Sequence, residues 1–103
     1  MIRILLAAAL LLPVPALAAD VFITVDNQSS LAAAINTFPI DADGEPVEYN
    51  IGAYSDIMPG TKSKYRLDSG RCEPVLVTVI MADASELQTQ MDLCKAQTLV
   101  ISD

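Results

Sequence analysis

The feature that most constrains the fold is the position of the chain's 2 cysteines, Cys72 and Cys94, around its most apolar strand-forming run, Val75-Leu76-Val77-Thr78-Val79-Ile80-Met81. Suppose Val75–Met81 and Ser85–Met91 form a hairpin across Ala82-Asp83-Ala84. Met81 then faces Ser85, and counting along both strands brings Val75 opposite Met91 and Cys72 opposite Cys94. Directly opposed residues of an antiparallel pair lie at a Cα separation that a disulfide can bridge. In the chain-entropy picture, closing that loop is worth roughly 3 kcal/mol. The same register gathers Val75, Val77 and Val79 with Met91, Thr89 and Leu87 on one face, the expected core. Leu76, Thr78 and Ile80 share the mixed face with Gln90, Gln88 and Glu86. The cysteines fall on the mixed side unless Pro74 introduces a bulge.

Whether the cysteines are oxidised depends on where the chain resides, and its start carries an address. Met1-Ile2-Arg3 precedes an apolar run from Ile4 to Leu12, followed by Pro13-Val14-Pro15-Ala16-Leu17-Ala18. A short basic region, an apolar stretch and small residues in an A-x-A arrangement form a cleavable export signal. The run is shorter than the roughly 20 residues that span a bilayer, which argues against a membrane anchor. A single arginine precedes it, so a twin-arginine signal is not supported, and no cysteine follows that could carry a lipid. Residues 1–18 are expected to be a signal peptide. Residues 19–103 are expected to form one disulfide-stapled domain in the periplasm or outside the cell, with no membrane insertion after cleavage.

That domain reads as all-β. Val21-Phe22-Ile23-Thr24-Val25 is rich in β-branched residues and ends at Asp26-Asn27-Gln28-Ser29-Ser30. Leu31 to Phe38 alternates and is expected to be a strand antiparallel to the first. Val47-Glu48-Tyr49-Asn50-Ile51 is expected to be a short edge strand, and Met58-Pro59-Gly60-Thr61 a type II turn. Lys62 to Leu67, Val75 to Met81 (central, being apolar on both faces), Glu86 to Leu93 and Thr98 to Ile101 complete the set. Seven short strands separated by turn signals predict a small antiparallel β-sandwich. A domain of this size buries only about 60% of its unfolded surface, so the disulfide contributes a large share of its stability.

The chemistry-bearing residue types are sparse. There is no histidine, which removes the commonest general base, the usual catalytic triads and most zinc or copper sites. No nucleophile elbow, phosphate loop or dinucleotide-binding glycine pattern occurs. The cysteines lack the C-x-x-C spacing of a redox pair. No cofactor is implied, and a non-catalytic protein is expected. A small hydrolase working through paired carboxylates is an alternative. The formal net charge is −7, and loss of Arg3 makes it one unit more negative, which disfavours nucleic acid and anionic membranes as partners.

Three surface motifs stand out. Asp41-Ala42-Asp43-Gly44-Glu45, with Glu48, resembles the opening of a calcium loop, although its glycine comes early and position 12 is Gly52. A calcium-dependent structural module using Asp41, Asp43, Glu45 and Glu48 is therefore a second alternative, set against a polar hairpin loop. Lys62, Lys64 and Arg66 alternate and so project on one face, with Tyr65 and Leu67 pointing into the core. Such a row suits either docking of an acidic protein or anionic glycan, or protection of an edge strand against aggregation. Asn27-Gln28-Ser29 matches a glycosylation sequon, while Met81 and Met91 belong to the apolar hairpin face, which favours packing over copper binding.

Val25-Asp26-Asn27-Gln28-Ser29, Met58-Pro59-Gly60, Cys72 before an apolar strand, and Asp92-Leu93-Cys94 follow one another in an order that resembles a group of small secreted bacterial proteins of unassigned function. The resemblance covers most of the exported part, through short motifs. Asp83-Ala84 departs from the Asp-Gly common in that group's hairpin. The resemblance implies a bacterial, periplasmic setting and carries no functional residue. Together these readings favour a binding or accessory module with an unknown protein or glycan partner.

Overall fold

The computed structural model describes residues 21–95 and 97–103; the expected signal peptide lies outside the described residues. Among the described residues, seven strands form two sheets: β1 (Val21–Asn27), β2 (Ala33–Pro39), β3 (Gly52–Ile57), β4 (Thr61–Leu67), β5 (Pro74–Met81), β6 (Glu86–Asp92) and β7 (Thr98–Ile101). Sheet A runs β4-β1-β7, and sheet B runs β3-β2-β5-β6. The expected β-sandwich is the fold. Its core is the set of alternate apolar residues that the two sheets turn toward each other, including Ile23 and Val25 of β1, Ile35 of β2, Ile57 of β3, Leu67 of β4, and Val75, Val77 and Val79 of β5.

The β5–β6 hairpin has the expected register. Val75 pairs with Met91, Val77 with Thr89 and Val79 with Leu87. The turn closes through Ala84 N–H to Met81 O at 2.9 Å and Met81 N–H to Ser85 O at 2.8 Å. Ala84 has φ 70°, the left-handed position of a three-residue hairpin loop, where glycine is favoured. Cys72 and Cys94 are bonded, with their Cα atoms 4.9 Å apart. A disulfide of this kind belongs to an oxidising, extracytoplasmic environment.

Three sequence expectations are corrected. β2 does not pair with β1; it lies between β3 and β5 in the other sheet. The short polar link Gln28–Ala32 crosses between sheets, and its geometry is fixed by Asn27, which is wholly buried. Asn27 Nδ2 donates to Leu31 O (2.9 Å) and Ile57 O (2.8 Å). Its Oδ1 accepts from Ser29 N–H (3.0 Å) and Ser29 Oγ–H (2.7 Å). The predicted edge strand at residues 47–51 is irregular, with only an Ile40–Pro46 bridge nearby. The real edge strand, β3, contains Gly52, Ser55 and Asp56, residues of low strand propensity. It is also bulged: three steps from Tyr54 to Ile57 match two from Ile35 to Ala33, and Asp56 takes φ 57°. Finally, Leu87 occupies the inward face of β6 but is 51% exposed, while Met91 on the same face is buried, so sheet A covers one end of β6 and leaves the other open.

Candidate binding surfaces

The predicted cation row is a real surface feature. Lys62, Lys64 and Arg66 are all exposed along β4, while Tyr65 is half-buried and Leu67 fully buried. They stand opposite Asp26, Thr24 and Phe22 of β1, respectively. Cross-strand partners share a face, so the outer side of sheet A combines three cations with Phe22, itself 46% exposed. Asp26 is the one acid among these paired positions, and it accepts a hydrogen bond from Gln28 Nε2 at 2.8 Å.

β4 is an outer strand of its sheet, yet its free side lies along β3. Asp68 N–H donates to Ile51 O at 2.7 Å, and the Tyr54 hydroxyl donates to Arg66 O. Tyr54 and Tyr65 pack with ring centroids 4.9 Å apart. Gly52 sits so close to Leu67 that a Cβ there would collide with Leu67 Cδ2. The Met58–Thr61 turn joins the two strands, with Thr61 N–H bonded to Met58 O (3.3 Å) and Gly60 at φ 79°, as a type II turn requires.

The acidic loop is organised around its own backbone. Asp41 Oδ1 accepts from the N–H groups of Asp43 and Glu45, both at 2.9 Å, and Asp41 N–H donates to Glu45 O at 2.8 Å. This is an Asx-type turn, with Gly44 at φ 81°. Glu45 and Glu48 are exposed. Among the described residues, no group of three or more acidic, cysteine or histidine side chains comes close enough together to hold a metal ion. Met81 and Met91 are buried in the core. The sequon asparagine is closed off: Asn27 has no exposed surface and both amide hydrogens are engaged.

Sequence reasoning missed the opposite side of the sandwich, where β6 and β7 border an open trough. One part, of about 310 Å³, is lined by Val79, Leu87, Leu99 and Ile101, among others. The adjoining part, of about 410 Å³, continues past Thr89 and Met91 to Gln97 and Thr98. The two strands are edges of different sheets and do not hydrogen-bond to each other. A side-chain bond closes one end: Asp92 N–H donates to Gln97 Oε1 at 3.1 Å. The only available signal, alternation in Glu86–Asp92, says which side chains share a face but not whether a facing strand covers them.

Comparison with protein families, with curated proteins and with solved structures finds no match to this chain.

Proposed function

We propose that the domain is a non-catalytic binding or accessory module of the periplasm or extracellular space, which meets an acidic protein or an anionic glycan through the outer face of sheet A. The supporting observation is the exposed row Lys62, Lys64 and Arg66 beside Phe22, on a chain of net charge −7. Such polarity steers an anionic partner toward one face and away from the rest of the molecule. Edge protection alone is a weaker account, because the side of β4 away from β1 already lies along β3.

The test is a variant with Lys62, Lys64 and Arg66 replaced by glutamine, compared with wild type for retention on polyglutamate and on a polyuronate at low and high salt. Wild-type retention that is lost in the variant and in high salt supports docking. Equal retention of both proteins, or none by wild type, removes the reading. A variant that aggregates while still binding assigns the row to solubility alone.

A further inference from the structure

The trough between β6 and β7 has the chemistry of a receptor for one more strand. In the β5–β6 ladder, Met81 N–H bonds to Ser85 O and Leu93 N–H to Glu73 O. Antiparallel hydrogen-bonded pairs recur at every second residue. The pairs 79–87, 77–89 and 75–91 are therefore bonded, and the backbone N–H and C=O groups of Glu86, Gln88, Gln90 and Asp92 turn to the open side. Asp92 N–H confirms this phase by reaching outward to Gln97 Oε1. On β7, Ile101 O accepts from Gln28 N–H of the chain leaving β1. Ile101 and Leu99 therefore bond toward β1, and the backbone groups of Thr98 and Val100 face the trough. Two rows of backbone donors and acceptors thus flank an apolar floor of Val79, Leu87, Leu99 and Ile101.

Charge along these edges is placed unusually for strands that must avoid partners. Exposed edges are commonly protected by lysine, proline or inward-pointing charges. β7 carries no charge, and β6 carries only Glu86 and Asp92, at its two ends. Beyond β7, Asp103 accepts from Ser30. The two edge strands are thus uncharged along their length, with Glu86, Asp92 and Asp103 near their ends and Lys95 the one cation in the link between them. A second copy laid edge to edge would bring these acids together on a chain already at −7. A cationic segment meets no such repulsion.

We infer that the trough binds an extended peptide segment of another protein, about seven residues long, with apolar side chains at alternate positions and lysine or arginine at its ends. At about 3.3 Å per residue, such a segment matches the length of β6. Its backbone bonds to one or both open edges, its alternate apolar side chains cover Leu87 and Leu99, and its terminal cations lie by Glu86 and Asp92. This is strand addition, in which main-chain hydrogen bonds give affinity and alternate side chains give specificity. The site is separate from the outer face of sheet A.

The probe is the peptide Lys-Val-Thr-Val-Thr-Val-Lys, titrated into the oxidised protein and followed by backbone amide NMR. Shifts at Gln88, Gln90, Thr98 and Val100 are expected, while Lys62 and Lys64 stay unmoved. N-methylation of alternate peptide bonds, or glutamate in place of both lysines, should weaken binding about tenfold or more. Leu87→Lys, a change at a half-exposed position that leaves the fold intact by thermal melting, should abolish binding. The inference is overturned if the N-methylated peptide binds equally, if Leu87→Lys has no effect, or if millimolar peptide produces no shifts. It is also overturned, in favour of self-association, if wild type forms a dimer that Leu87→Lys dissolves and the peptide does not enter.

Discussion

The two long sides of this sandwich are built on opposite terms. Along the β3–β4 side, the sheets are joined by a tight turn, backbone and tyrosine hydrogen bonds, and a glycine that lets Leu67 seat with no exposure. Along the β6–β7 side, a four-stranded sheet overhangs a three-stranded one, and an inward-facing leucine stays half in water. The lesson is that facing inward and being buried are separate properties. Strand alternation decides the first, and what the opposite sheet places over each position decides the second.

Truncating one leucine on each side gives the sharpest test of this contrast. Leu67→Ala should cost about 4 kcal/mol, because a fully buried side chain is lost and the closed side cannot collapse around the gap. Leu87→Ala should cost less than about 1 kcal/mol, since half of that side chain is already hydrated. Urea unfolding of both variants measures the difference, and equal losses would break the contrast.

The disulfide separates the two sides next. The Cys72→Ala/Cys94→Ala protein should lose roughly 3 kcal/mol. Because β6 pairs with β5 along one side and this bridge ties its end, its amides should then exchange with solvent faster than those of β3. Uniform acceleration across both sides would show that the bridge acts on the unfolded chain alone.

The smallest effect is at the β5–β6 turn. The Asp83 carboxyl is held below its ordinary range by the Ser85 hydroxyl and then by the Ser85 amide. A carboxylate with a lowered folded-state pKa contributes stability above its unfolded pKa and loses it as pH falls through the folded value. Wild type should therefore lose slightly more stability than Asp83→Asn on acidification below about pH 4. Parallel thermal melts across that interval check this, and identical slopes would assign no role to the Ser85 contacts.

How much of this was legible beforehand depended on whether the information was local. The β5–β6 hairpin, its register and the Cys72–Cys94 bridge follow from counting along one continuous stretch. The cation row follows from alternation within one strand. β3 was illegible because Gly52, Ser55 and Asp56 are poor strand formers, held there by Leu67 and by the bulge. The assignment of β2 to the other sheet depended on Asn27, which reads in sequence as an ordinary turn residue or a sequon and serves as a buried, fully bonded pin. The trough was least legible, since it depends on what sheet A places over each position of β6.

One pairing also sets an order of events. β1 lies between β4 and β7, antiparallel to the first and parallel to the second. A chain that emerges from its N-terminus, whether from a ribosome or through a membrane channel, presents β1 well before residues 98–101. For that whole interval, one flank of β1 waits without its neighbour. Sheet A is therefore completed only once β7 has emerged, and loss of the pairing by residues 98–101 should be felt first in β1, more than seventy residues earlier.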